Sequence, residues 1–324
     1  MNVHVRSLVL AVVVVSTVLA LTTFAIWFER KFAGRMQSRL GPTRVGPVGL
    51  LQPVADAFKL MQKESIRPAN ADWALFNLAP LLAAVCALGA AAVVPLAPGL
   101  AAADVDLGVL FVLAIGAVTV LPVFIAGWSS NNKFALLGGM RAIAQSISYE
   151  VPLLLAALVP IILSGSMNLS EIVRQQAEGH WIAVWPFFLG IPAFAIFLLA
   201  MLAESNRIPF DIPEAESELV AGVTTEYTGM KFALFYLAEY AHTLIASALG
   251  AALFLGGWDG PFGPGLHWLL LKTFVLFGSV YWVRWTLLRF RSDQLLRICW
   301  TWLVPAGVVL VMGAGAWVAW GPLP

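Results

Sequence analysis

The stretch AESNRIPFDIPEAESELVAGVTTEY, residues 203–227, gathers groups that can hold and exchange protons. It contains Glu204, Asp211, Glu214, Glu216, Glu218 and Glu226 and closes at Tyr227, and these six carboxylates are a third of the 18 in the chain. Carboxylates crowded in a low dielectric raise one another's pKa, so some keep their protons near neutrality, as a proton path requires. A helix N-terminus would stabilise Glu214 and Glu216 through its dipole, by about 0.3–1 kcal/mol each. That explanation does not reach Glu218 and Glu226, nor Glu204 and Glu239, which lie in apolar sequence. Pro213 suits the first turn of a helix with Asp211 as its N-cap. Glu214 and Glu218 would then stand one turn apart on one face.

Two further positions extend this chemistry. Glu150 precedes Val151-Pro152 in an apolar run, and a carboxylate at membrane depth costs at least about 2.5–3.5 kcal/mol unless it faces protein or water. Glutamate is too short to reach the interface from there, so Glu150 is expected to face the interior. In YLAEYAHTL, Glu239 and His242 are three residues apart and share a helix face beside Tyr236 and Tyr240, a candidate proton-relay element. Arg207 is the counter-charge within the acidic stretch, and Phe210 beside it offers an aromatic surface. With Arg30, Arg39 and Arg141 on the same membrane face, these residues predict a polar cavity whose ligand the pattern leaves unnamed.

The elements that must position these groups are helices in a bilayer. The chain is 60% hydrophobic and 11% charged, with a mean hydropathy of +0.86. Apolar runs of about twenty residues, each long enough to cross about 30 Å as a helix, recur at 7–28, 74–95, 107–128, 142–164, 183–203, 232–256, 267–288 and 300–320. Backbone groups in lipid must be satisfied within each segment. The expected fold is therefore all-α: one membrane-embedded domain over 1–324, a polytopic bundle of eight spans. The first run is too long for a signal-peptide core and ends in Glu29-Arg30-Lys31, so it reads as a retained helix.

Sixteen of the 19 basic residues fall in or beside the connections after spans one, three, five and seven; only Arg6, Arg174 and Lys272 lie elsewhere. The positive-inside rule puts those connections in the cytoplasm and both termini outside. This bias is topological, and it makes no case for nucleic acid. Cys86 and Cys299 form no motif, and the four histidines, His4, His180, His242 and His267, fall singly. The chain is expected to carry no redox metal of its own.

The longest basic connection opens with RKFAGRMQSRLGPTRVGPVG, where Gly41-Pro42 and Gly46-Pro47 enforce turns. In the following GLLQPVADAFKLMQKE, Leu50, Leu51, Val54, Phe58 and Met61 recur at helical spacing, while Asp56, Lys59 and Lys63 take other faces. This predicts an amphipathic helix on the membrane surface, serving as an interfacial anchor or as the roof of an opening into the protein.

Four blocks together resemble the subunit 1 family (the H subunits) of respiratory complex I, the NADH-quinone oxidoreductase. They are ERKFAGRMQSRLGPTRVGPVGLLQPVADAFKLMQKE, GWSSNNKFALLGGMRAIAQSISYEV, AESNRIPFDIPEAESELVAGVTTEY and RFRSDQLL, one in each basic connection. The resemblance implies a membrane subunit that forms most of a quinone tunnel and joins a peripheral arm to a membrane arm. Quinone would be the substrate, with no covalently bound cofactor and no metal or iron–sulfur cluster in this chain. Electrons would come from iron–sulfur clusters in peripheral-arm partners, and protons would be pumped through membrane-arm partners. It places Glu29, Arg30, Arg39, Asp56, Arg207 and Asp211 at the quinone chamber, where Arg141 and Phe210 are added from the residue pattern. It makes Glu150, Glu204, Glu214, Glu216, Glu218, Glu226 and Glu239 an acidic coupling series, which Tyr227 and His242 join. The Ala, Val and Arg usage suggests a bacterial plasma (inner) membrane. The same family serves energy-converting hydrogenases and formate hydrogenlyases, the alternative assignment. An autonomous transporter is disfavoured by the lack of an inverted repeat or a broken-helix pair.

Overall fold

A computed structural model describes residues 3–184, 186–214 and 216–320, with no side-chain description for 3–11, 216 and 217. Eight helices in it are long and apolar enough to cross a membrane. The first is α1 (Val3–Met36), followed by the surface helix α2 (Gln52–Gln62) and the second span, α3 (Trp73–Ala91). The third span is made of α4 (Gly108–Val118) and α5 (Val120–Ser129), and the fourth is α6 (Lys133–Ser164). A short amphipathic helix, α7 (Leu169–Glu178), leads to the fifth span, α8 (Phe187–Glu204). After the one-turn α9 (Glu216–Leu219) come α10 (Gly229–Phe254) and α11 (Leu266–Thr286). The last span combines α12 (Ser292–Ile298), a π-helical turn at Cys299–Leu303 and α13 (Val304–Trp320). Extended pairing among the described residues is confined to a single bridge, Ala97 to Leu100.

The helices start where side chains can satisfy free backbone N–H groups. Asp72 caps α3 by accepting from the Ala74 and Leu75 amides at 3.0 and 3.1 Å. Asn132 caps α6 through the Phe134 amide at 2.9 Å, while its own amide donates to Glu226 at 2.6 Å. One polar side chain thus starts a span and fixes the loop before α10.

Three differences from the sequence expectations bear on the site. First, α6 begins at Lys133, not near 142, so the connection after the third span is almost entirely helix. Ala135, Gly138, Gly139 and Ala142 give α6 a narrow buried face, and this lets other backbone approach it. A Cβ at Gly138 would lie 2.9 Å from the Pro213 carbonyl. Second, no helix begins at Pro213, and Asp211 is not an N-cap. Residues 205–214 run as turns, and among the described residues the only α-helix in the loop is α9. The loop folds back on itself at Gly222, with φ at +53° and the Pro213 carbonyl occupying the space a Cβ would need. That packing replaces the continuous helix that would have put Glu214 and Glu218 on one face. Third, the third span loosens at Thr119. Pro122 lacks the N–H that the Val118 carbonyl would accept, and the Thr119 amide is shared between the Ile115 and Gly116 carbonyls, both at 3.1 Å, while its hydroxyl donates to Gly116 at 2.6 Å.

The core is the contact of α6 and α10 with α8, rich in Ala, Leu and Phe. Gln145 of α6 pins the loop leaving α8 by donating to the Ala203 and Phe210 carbonyls at 2.7 and 2.8 Å. This connection is thereby held over the basic end of the bundle.

Candidate functional site

At that end the helices leave a cavity of about 500 Å³, within the usual range of small-molecule sites. Its charged lining is four arginines, Arg30, Arg39, Arg207 and Arg284, facing four carboxylates, Glu29, Glu204, Glu214 and Glu239, with His242 at one side. Apolar walls come from residues such as Ala83, Ala87, Val123, Phe232 and Phe235. The groups come from α1, α8, α10, α11 and the loops, so only tertiary packing assembles them.

Its centre is Arg207, 4% exposed. Its Nη2 lies 2.9 Å from Glu239 Oε1, and its guanidinium carbon lies 4.7 Å from the centre of the Tyr240 ring and 5.7 Å from that of Tyr281. Burial opposes the charge, but Glu239, Tyr281 and Tyr240 hold the guanidinium well above its usual pKa. Nε and Nη2 make no hydrogen bond within the described residues. The Glu239 contact is therefore an ion pair without an aligned N–H.

A second cluster sits on Glu29, 5% exposed, which accepts from Tyr240 Oη and from Arg284 Nη1. Tyr240 and Tyr236 share a hydrogen bond at 2.9 Å. Nearby, Arg30 pairs with Asp56, which also accepts from Gln52 at 3.0 Å. That pair straps the surface helix α2 to α1, so Asp56 acts behind the lining. Glu214 lines the opposite wall. Burial pushes its carboxyl up to about 8; Glu239 adds to the rise and Arg207 opposes it.

The remaining expected residues are placed as follows. Glu204 and His242 line the cavity together, Nε2 to Oε1 at 3.5 Å. His242 therefore faces Glu204, while its helix neighbour Glu239 faces Arg207. Asp211 is within electrostatic reach of Glu214 and Glu239. Phe210 is buried against Phe290, ring centres 5.7 Å apart, and forms no part of the lining. Arg141 also lies off the cavity: it pairs with Glu218 at 2.6 Å, and Arg289 reaches the same carboxylate at 3.3 Å. These contacts hold Glu218 below the usual carboxylate range. Glu150 sits within α6, in electrostatic reach of Glu204. Glu226 holds Asn132, and Tyr227 stacks on Phe76 at 4.2 Å. Glu216 begins α9, and its side chain lies outside the described residues.

Sequence reasoning misses Arg284, Tyr149 and Trp285, which also line the cavity. In the sequence Arg284 counts only among the topological charges, and its position at the end of an apolar run is the one available signal. Among the described residues no three His, Cys, Asp or Glu side chains converge as metal ligands.

Comparisons with known proteins agree with one another. The NADH dehydrogenase family model matches residues 8–315. The chain is 48% identical over 299 residues to the H subunit of NADH-quinone oxidoreductase from Dehalococcoides mccartyi (strain CBDB1), covering 92% of this chain and 83% of the relative. It is 46% identical over 323 residues to the H subunit from Acidovorax sp. (strain JS42), covering 96% and 90%. It is 47% identical over 313 residues to that from Brevibacillus brevis, covering 94% and 91%. With its eight apolar helices, this kinship makes the chain a multi-pass membrane protein.

Proposed function

This chain belongs to the NADH dehydrogenase family, alongside the H subunits of NADH-quinone oxidoreductases, and from that membership we propose that it is the membrane subunit that receives quinone in such an enzyme. The observation that carries the reading is the mixed cavity, with four arginines and four carboxylates set in apolar walls. A quinone needs both surfaces. Its isoprenoid tail is satisfied by apolar residues, and its carbonyl oxygens accept hydrogen bonds as negative charge develops on them.

The guanidinium groups of Arg30, Arg39, Arg207 and Arg284 line the wall and would supply donors. Reduction adds two electrons and two protons to the quinone. The electrons arrive from iron–sulfur clusters in peripheral-arm partners, and this chain supplies shape, donors and charge. A transient negative charge on the quinone would draw Arg207 from Glu239, leaving that carboxylate to take a proton. Glu214, already shifted toward the protonated form, faces the same space. The acidic series would carry this change toward membrane-arm partners that move protons. The names of the relatives favour quinone over the hydrogenase alternative. The orientation follows from the basic connections: cavity end in the cytoplasm, termini in the periplasm of a bacterial inner membrane, the chain acting as one membrane-embedded unit.

A photoreactive quinone added to the complex in native membranes tests this. Peptides from α1, α10 and the loop after α8 should be labelled, and excess unmodified quinone should suppress the label. Filling the wall by Ala87→Trp should raise the KM for quinone at least about tenfold, with NADH oxidation by a soluble acceptor unchanged. Labelling confined to other regions, together with an unchanged KM, would overturn the proposal.

A further inference from the structure

The cavity meets two acid–base pairs at different positions along α10. Glu239 is paired with Arg207, and one turn further on His242 is paired with Glu204. The two pairs differ in what they can do with a proton. A guanidinium does not give one up in a protein, so the Arg207–Glu239 pair can sense charge but has only one titrating partner. An imidazole can take a proton on one nitrogen and release one from the other.

Three features of the structure set His242 apart from a satisfied core histidine. Its 3.5 Å separation from Glu204 is longer than an N–H···O hydrogen bond, so the pair is held close without being locked. Both side chains line the cavity, yet are only 13% and 9% exposed. Opposite them is the third span at Gly116. Gly116 offers no side chain there: a Cβ would stand 2.9 Å from Glu204 Oε1 and 3.8 Å from His242 Nε2. Thr119, about one turn further along that span, lines the same cavity. Tyr149 of α6 also lines the space, and Glu150 is within electrostatic reach of Glu204.

We propose that His242 is a proton-relay residue that delivers protons from the cavity to Glu204. A hydronium in the cavity gives its excess proton to Nδ1 and leaves as water. The Nε2–H bond then breaks and its proton forms the O–H bond of Glu204 Oε1, leaving a neutral imidazole and a neutral carboxyl. Glu204 later passes its proton toward Glu150, and the ring resets by exchanging with cavity water. No electrons move in the step. The bare Gly116 leaves the imidazole room to close the gap. This inference rests on the coupling reading above and adds a group that hands protons to Glu204.

The test uses the assembled complex in native membranes, with amounts matched by NADH oxidation with a soluble acceptor. His242→Ala should lower quinone reduction coupled to proton uptake by at least about tenfold, the low end for a lost acid–base group being about 10²-fold for chemistry alone. Imidazole added to the medium should restore most of the rate. His242→Gln, which keeps a hydrogen bond but cannot relay, should stay low. Wild-type rate and proton count in His242→Gln, or a His242→Ala defect that imidazole leaves unchanged, overturns the relay. If His242→Ala does not assemble, His242→Asn carries the same comparison with His242→Gln. Glu214→Gln and Glu239→Gln run in parallel: coupling lost there but intact in the His242 variants defeats the relay alone, whereas coupling intact in all of them defeats the coupling reading.

Discussion

Arg207 Nη2 lies 2.9 Å from Glu239 Oε1, joining the loop after α8 to the middle of α10 through a side chain that is 4% exposed. Neither residue forms another ion pair among the described residues, so each is the other's compensation at the cavity wall. Removing one half of a buried pair is costly because it strands the other charge, typically about 3–5 kcal/mol.

Arg207→Met should therefore destabilise the subunit by that order and abolish quinone reduction. Arg207→Met combined with Glu239→Gln should recover much of the stability but not the activity. Thermal unfolding in detergent reads the first effect and NADH-driven turnover the second. Full stability in Arg207→Met alone would show that the pair is not holding loop and helix together.

Glu214 gives a pH signature outside the spans. Its folded pKa of about 8 lies above the carboxylate value expected in the unfolded chain, about 4.3. The folded state thus binds more protons in that window, and stability falls as pH rises through it. The contribution is full below about pH 4.3, declines through neutrality and is lost once pH passes about 8. The melting temperature of the wild type should fall more steeply between pH 5 and about 8 than that of Glu214→Gln, which has no such group. Parallel melting curves for the two would place the Glu214 carboxyl in an ordinary environment.

Lys272, one of three basic residues away from the basic face, is 7% exposed and serves the opposite end of the bundle. Its ammonium donates to the carbonyls of Leu255, Gly257 and Asp259 at 2.6, 3.0 and 2.5 Å and lies 4.1 Å from the centre of the Trp181 ring. A cation there meets the free carbonyls and the negative dipole end of α10. Lys272→Met leaves those carbonyls without a donor, at about 1–3 kcal/mol for each buried group left unmade. The variant should melt well below the wild type in detergent, with faster exchange of amides in residues 255–260. Unchanged melting and exchange would mean that water replaces the ammonium without loss.

Glu214 and Glu218 show where sequence periodicity stops being a guide. A helix from Pro213 would have set them side by side. The turn at Gly222 and the narrow face of α6 instead send Glu214 to the cavity and Glu218 to Arg141 and Arg289. Likewise, the i,i+3 spacing of Glu239 and His242 correctly sets both on the cavity side of α10. It cannot assign their partners, because Arg207 and Glu204 arrive from other elements. Arg284 carries no local signal beyond its place at the end of an apolar run.

The sequence by itself determined the eight apolar spans and the surface helix, because lipid accepts little besides continuous helix and each span must be apolar over its own length. It also determined the sorting of basic residues to one face and the concentration of carboxylates between the fifth and sixth spans. Tertiary structure alone decided which carboxylates face the cavity and which arginine each one meets. Those outcomes depend on contacts between helices far apart in the chain. Burial and the nearest opposite charge, rather than residue type and spacing, set what each group can do.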